Sequence, residues 1–531
     1  GFAPDEIDGR AAEQVRFRFL HDRVQQAAYT LIPEAERPRV HLALGRLLLA
    51  RGEDPARPEW LFDVVNQLNY GSVLMEQTAE RLALAELNLA AGRRAKASAA
   101  FPSAFSHFAA GAALLPPDAW EAQHDLAFAL HHERAQAEYL TGRLDQADGS
   151  YATLLERATT PLERVEAYLL MMHQYETTAR YGDAIEAGMA GLRLLGFELP
   201  KEPAEQRAAF LAAIDAIQRR LQDTPVAEIL SLPRLEDPIL RTVVKILVIL
   251  WTPAYISGQT ELSDLTAARM VALSLEHGNS EDSAYGYTAF AMTVGWRLGD
   301  YAQGYEFGQL GLALNERLAD LRLRARIHHR YAALVNPWRR PFETCFPHAR
   351  EAVRAGLESG DFLIAAYAQF QQSWWGMHLE PELAGFLAKY QPTVEFLERM
   401  RAMAYREVQK MILHWALALQ GRTVAPASLT SPEFDEATYL AEHGNHGIFG
   451  SWYVTLKLEL LSTFGLVDEA RAAAREWEPV AEVFTSSIWP AMFAFWHVLA
   501  ICAWLPGAPA EDREESLAKA DRLSARLRIW A

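Results

Sequence analysis

Small residues recur in this chain at the offsets that two closely packed helices require. Gly142, Ala147 and Tyr151 stand five and then four residues apart; Gly465, Ala470 and Ala474 repeat the offsets, as do Gly299, Gly304 and Gly308, with Gly311 in the next small slot. The first small residue lets one helix turn into the next, and the second lets the two backbones approach. Ala104, Phe108, Gly111 and Pro116 form an earlier copy, closed by proline, and Tyr181 to Gly196 (YGDAIEAGMAGLRLLG) forms a looser fifth. Helix-length apolar segments lie between the copies, and helix starts are well marked. Thr160-Pro161-Leu162-Glu163 reads as a capping box with proline at the first helical position, Asp118 with Glu121 as a similar box, and Asp237-Pro238 as a further start. Alternation of the kind a strand shows is confined to the first twenty residues, at Val15-Arg16-Phe17-Arg18-Phe19.

The pattern resembles the tetratricopeptide repeat, although the copies are spaced irregularly and often more widely than that family's 34 residues. The resemblance implies an all-α fold, a tetratricopeptide-like α-solenoid superhelix of about 11–12 helical hairpins at about 40 residues each. Such an array needs no single closed core, which suits a chain of 531 residues.

Composition narrows the possible partners. Hydrophobic residues make up 50% and charged residues 22%, a globular composition, and a net charge of -17 disfavours nucleic acid and anionic membranes. Two cysteines, Cys345 and Cys502, cannot build a disulfide framework, so a reducing cytoplasm is the expected location. The strongest apolar stretch, Val243 to Ile256, holds Lys245 and Pro253 and falls short of the roughly 20 residues of a membrane span; a buried helix is expected there. The opening GFAPDEIDGR lacks the features of a signal peptide, and the last residues are still in helical rhythm, so a piece of a longer polypeptide is expected.

Phe17 to Gly52 is the most specific stretch: a short strand, Leu20-His21-Asp22, a helix, a break at Pro33 and a second amphipathic helix. It resembles the end of the winged-helix module of signal-transduction ATPases with numerous domains, in particular bacterial proteins joining a Ser/Thr-kinase-like domain, such an ATPase, a helical repeat region, a sensor and a histidine kinase. LFDVVNQLNYG and LALAELNLAAGRRAKASAAF, further on, resemble the start of those proteins' repeat region. The resemblance implies a winged-helix remnant over residues 1–52 and a helical repeat superhelix over 53–531. It also implies that His21 contacts ADP in an intact parent; the competing reading is that Asp22 and Gln25 form a capping box and His21 simply ends a strand. The chain contains no G-x-x-x-x-G-K-[ST] loop, so ATP or ADP belongs to the parent and no cofactor is expected for this segment.

Catalytic signatures are lacking: there is no H-E-x-x-H, no G-x-S-x-G, and neither cysteine stands in a nucleophile motif. His131-His132 and His328-His329 point apart on a helix, and His443 with His446 lacks a clear third ligand, so no metal site is expected. The aromatic-rich stretch from Tyr285 to His378 is the candidate site. Trp338 and Arg339, followed by Gln372, Trp374, Trp375 and His378, suit a peptide, a protein or a polar small ligand in a concave groove, with Gln369 and Arg340 beside them. The competing reading makes these aromatics inter-repeat packing. One of Trp374 and Trp375 is expected to stand exposed in the groove, with Arg339 facing the same opening.

Three functions follow. The first is a non-catalytic sensor arm that acts on the ATPase core of its own polypeptide by changing how it packs there. The others are a passive scaffold docking a downstream protein, and an enzyme on a helical framework, which would need an acid–base pair the sequence does not display.

Overall fold

The computed structural model describes residues 2–4, 17–19, 26–27, 29–52, 59–444, 447–481 and 486–530. Apart from a short antiparallel ladder pairing Phe2–Pro4 with Phe17–Phe19, the elements are helices joined as successive packed hairpins, consistent with an α-solenoid. The chain divides into two compact units, Gly1–Gln174 and Tyr175–Ala531. Helix Arg37–Arg51 packs directly on Trp60–Gly71, and Leu42 shares one core with Val64, Leu68, Leu84 and Phe108. His21 and Asp22 lie outside the described residues.

In the first unit the approach of helices depends on missing side chains. A Cβ on Gly45 would stand 2.6 Å from Leu68, and one on Gly71 would stand 2.6 Å from Leu42. Asn69 and Asn88 exchange amide hydrogen bonds of 2.9 and 2.8 Å beneath this packing. Gly142, at φ +78°, turns His124–Leu140 into Leu144–Arg157, whose Ala147, Tyr151 and Leu154 are buried against Ala167 and Leu170.

In the second unit, Asp237 caps Pro238–Ile256 by accepting from the amides of Ile239 and Leu240, and Val243 to Ala254 of that helix are mostly buried. Thr260–His277 returns along it. Gly299, in the left-handed region at φ +74°, then reverses Glu281–Leu298 into Tyr301–Leu318. A Cβ on Gly304 would meet the Ala291 carbonyl at 2.7 Å, and one on Gly311 the Ala284 carbonyl at 2.7 Å, so these helices lie backbone to backbone. Leu321–Arg330 with Cys345–Ser359, Phe362–Leu379, Met403–Leu419, Gly447–Thr463 with Val467–Ala481, and Trp489–Trp504 with Ala510–Trp530 are among the further helices of the unit.

By length and composition, two helices are apolar enough to cross a membrane: Pro238–Ile256, which contains the stretch expected to be a buried helix, and Trp489–Gly507. Most of the first is buried within the protein, as a core helix is; a third of the second is.

Candidate functional site

Within the second unit, segments far apart in sequence close around an aromatic cavity. Pro238–Ile256 contributes Trp251, Thr252, Tyr255 and Ile256. Leu321–Arg330 gives His329 and Arg330, and the π turn that continues it, Tyr331–Val335, gives Ala333 and Leu334. Phe362–Leu379 presents Ile364, Tyr367, Phe370 and Gln371, which the helical period brings to one face. Tyr405, Ile448, Trp452 and Ser487 to Trp489 complete the wall. The space within holds about 100 Å³ for the centres of water-sized groups, inside a wider volume of about 820 Å³ that includes open solvent.

One charged side chain breaks the apolar lining. Arg330 is only 5% exposed, and its guanidinium lies 4.7 Å from the ring centre of Trp251 and 4.4 Å from that of Tyr285. Its Nη2 donates to Thr252 Oγ1 at 2.9 Å, and that oxygen stands 3.1 Å from the Tyr285 hydroxyl. Its Nη1 is buried and donates to no described residue. One turn earlier, Arg326 is paired with two carboxylates, donating to Asp361 Oδ2 at 2.7 Å and to Glu176 Oε1 at 3.0 Å. The pKa shifts follow this division. Burial lowers that of Arg330, whereas for Arg326 the attraction of Glu176 and Asp361 outweighs burial and holds the cation firmly charged. His329, desolvated and beside Arg330, is pushed down to about 3 and stays neutral.

The residues singled out from the sequence are distributed differently. Trp374 and Trp375 are both buried, at 0% and 1% exposure, so neither stands in an open groove. Phe362–Leu379 is covered almost all round: Trp374 faces Phe370, Trp452 and Trp489, and Trp375 packs on Phe346 beside Cys345. Gln372 is buried, bonding back to the Ala368 carbonyl and to Gln369. Arg339 is exposed and lines no cavity described here. Only Trp338 and His378 are brought together, in a second and more open groove with Phe342, Glu459, Trp496 and Trp530. There the Trp338 indole donates to the Ser486 carbonyl at 3.2 Å, and desolvation lowers the pKa of His378. Glu459 accepts from the Trp415 indole at 3.1 Å and has Trp496 beside it, and burial outweighs both and pushes its pKa up to about 7.

The cavity thus draws on the stretch from Tyr285 to His378 through side chains other than those singled out there. Arg330, which carries the cavity's charge, looks like any helical arginine in RIHHRYAALV; its burial depends on Thr252 and Tyr285, contributed from other helices. Among the described residues no three His, Cys, Asp or Glu side chains converge as a metal site would need; His446 lies outside them.

No protein-family model matches the chain. It is 24% identical, over 397 residues, to the hybrid signal transduction histidine kinase G of Dictyostelium discoideum; the match covers 67% of this chain and 12% of that protein. Among solved structures, that of Naa15/Naa10 bound to HypK-THB aligns with 94% of this chain and 98% of the compared one at 12% identity, but with a TM-score of 0.14, too low to bear on fold or partner. The chain is thus similar in sequence to a segment of a much longer signalling kinase.

Proposed function

We propose that this chain is a non-catalytic regulatory arm of a larger signal-transduction protein, built of tetratricopeptide-type hairpins, and that it senses a ligand in the cavity around Arg330. The similarity to a small part of a hybrid histidine kinase supports the signalling context. Small residues at the hairpin approaches, such as Gly304 and Gly311, support the repeat type. The parent in this reading is an ATP-using protein with a winged-helix module ahead of the repeats, where His21 would meet ADP. Nucleotide chemistry belongs to that parent, since this chain has no phosphate-binding loop.

The observation that carries the sensor reading is the origin of the cavity wall. Trp251, Arg330, Phe370, Trp452 and Trp489 come from five separate helices, so an occupant touching all of them would change how those helices pack. Native mass spectrometry of the purified chain, with hydrogen exchange before and after ligand removal, tests this. The expected result is a bound mass lost on denaturation, whose removal raises exchange in helices 238–256, 362–379 and 447–463. The bare chain mass, with no exchange change on adding back a cell metabolite extract, would make the cavity a packing defect. The open groove of Trp338, Phe342 and Trp496 favours the competing reading, a scaffold for a partner protein. Exchange that changes only on adding a protein fraction, and in that groove, would select it.

A further inference from the structure

The cavity's chemistry narrows what it could hold. A buried guanidinium is normally matched by carboxylates or by a full set of hydrogen bonds, because desolvating an uncompensated charge is costly. Arg326 meets that rule through Glu176 and Asp361, and Arg330 does not. The two carboxylates balance the two arginines in total charge, yet both bond to Arg326. What Arg330 has instead is one hydroxyl and the faces of two aromatic rings. Cation–π contact offsets part of the desolvation but leaves the Nη1 hydrogens without an acceptor among the described residues. Arg330 belongs to the wall of a cavity otherwise lined by Trp251, Tyr255, Phe370, Trp452 and Trp489.

We infer, building on the sensor reading above, that the cavity binds a monocarboxylic acid with an apolar body. Its carboxylate accepts from Arg330 Nη1, and its body lies among the tryptophans and tyrosines of the wall. A single charge is specified because, among the described residues, the wall supplies one unsatisfied cation: Arg326 is taken, and the neighbouring His329 is neutral. A phosphate or dicarboxylate would bring a second charge into an apolar space with nothing to meet it. Gln371 adds a carboxamide at the wall that can reach a polar substituent of the body.

The test is calorimetric titration of the whole chain with indole-3-acetate, 2-naphthoate and octanoate, each compared with its own primary amide. At least one acid is expected to bind ten-fold or more tightly than its amide. R330M should erase that preference, leaving acid and amide alike. A333L narrows the cavity while keeping the charge, and should weaken acid and amide together. R330K, which retains a cation but not the planar fork, should weaken the acid preference, and it serves if R330M does not fold. Amides binding as well as their acids would overturn the carboxylate inference and leave a ligand cavity standing. An acid preference that survives in R330M would overturn it as well, by placing the anion elsewhere. If none of the six compounds binds, both the inference and the small-molecule sensor reading fall.

Discussion

Trp374 and Trp489 meet edge to face with ring centres 3.9 Å apart, although one lies on Phe362–Leu379 and the other opens Trp489–Trp504. Trp489 is part of the cavity wall and Trp374 stands behind it, so the pair ties the cavity to the core of the second unit. Trp374→Ala should therefore cost about 3–5 kcal/mol, the usual penalty for emptying a buried aromatic site. Arg339→Ala should stay within about 0.5 kcal/mol, as exposed substitutions do. Denaturant titration of both variants checks the contrast, and equal effects would mean that Trp374 is not the packed residue described.

That contrast also shows what the sequence could convey. Gly142, Gly299 and Gly304 were legible because a left-handed turn or a backbone contact accepts few residue types. Trp374 and Trp375 were not. Their helix is buried on nearly every side, so apolar periodicity cannot mark an inner face, and an exposed tryptophan was expected where none stands. Arg330 was passed over for Arg339 and Arg340 for a related reason. A charge is read as solvated unless its tertiary partners are known, and Thr252 and Tyr285 lie far away in sequence.

The two neighbouring arginines should respond differently to loss of charge. Arg326→Met strands Glu176 and Asp361 in the interior and should destabilise by about 3–5 kcal/mol. Arg330→Met strands no carboxylate, and should leave the ligand-free protein as stable as before or more so. Urea midpoints of the two variants measure this, and a larger loss for Arg330→Met would contradict the division of partners between them.

Backbone proximity gives a sharper test of the hairpins. Gly304→Leu would drive a side chain into the Ala291 carbonyl, and should cost about 1–3 kcal/mol or more. Gly385→Ala, within Leu383–Tyr390 and facing open space, should instead raise stability by up to about 1 kcal/mol through helix propensity. Thermal melts that move the same way for both would show the helices to be farther apart than 2.7 Å implies.

Glu459 should leave a signature in the pH dependence of stability. Its pKa rises from 4.5 to about 7 on folding, so between those values the native state holds a proton that the unfolded chain has lost. The contribution is therefore present at low pH and is lost as pH rises through that window, by on the order of 3 kcal/mol. His328 and His497, each pushed down to about 4 by burial, act in the opposite sense, so the effect is read as a difference. Glu459→Gln should gain on the parent steadily from pH 4.5 to pH 7. A constant difference would mean that Glu459 is solvated.

The two thiols should separate by reactivity. Burial pushes the Cys345 pKa up to about 12, while Cys502 is exposed. A chromogenic disulfide reagent should titrate Cys502 in the native protein and Cys345 only in denaturant. Prompt reaction of both thiols would show the core around Trp375 and Cys345 to be open.

The wide sequence span of the cavity wall also sets an order of events in biosynthesis. A hairpin can pack as soon as its own two helices have left the ribosome, but the chamber around Arg330 cannot close before Trp489 has been made. At about 5–20 residues per second, that leaves the guanidinium hydrated for on the order of ten seconds after its own helix emerges. A nascent chain halted ahead of Trp489 would thus carry well-formed early hairpins and a wet, open arginine. Competence to recognise anything there would be among the last properties this chain acquires.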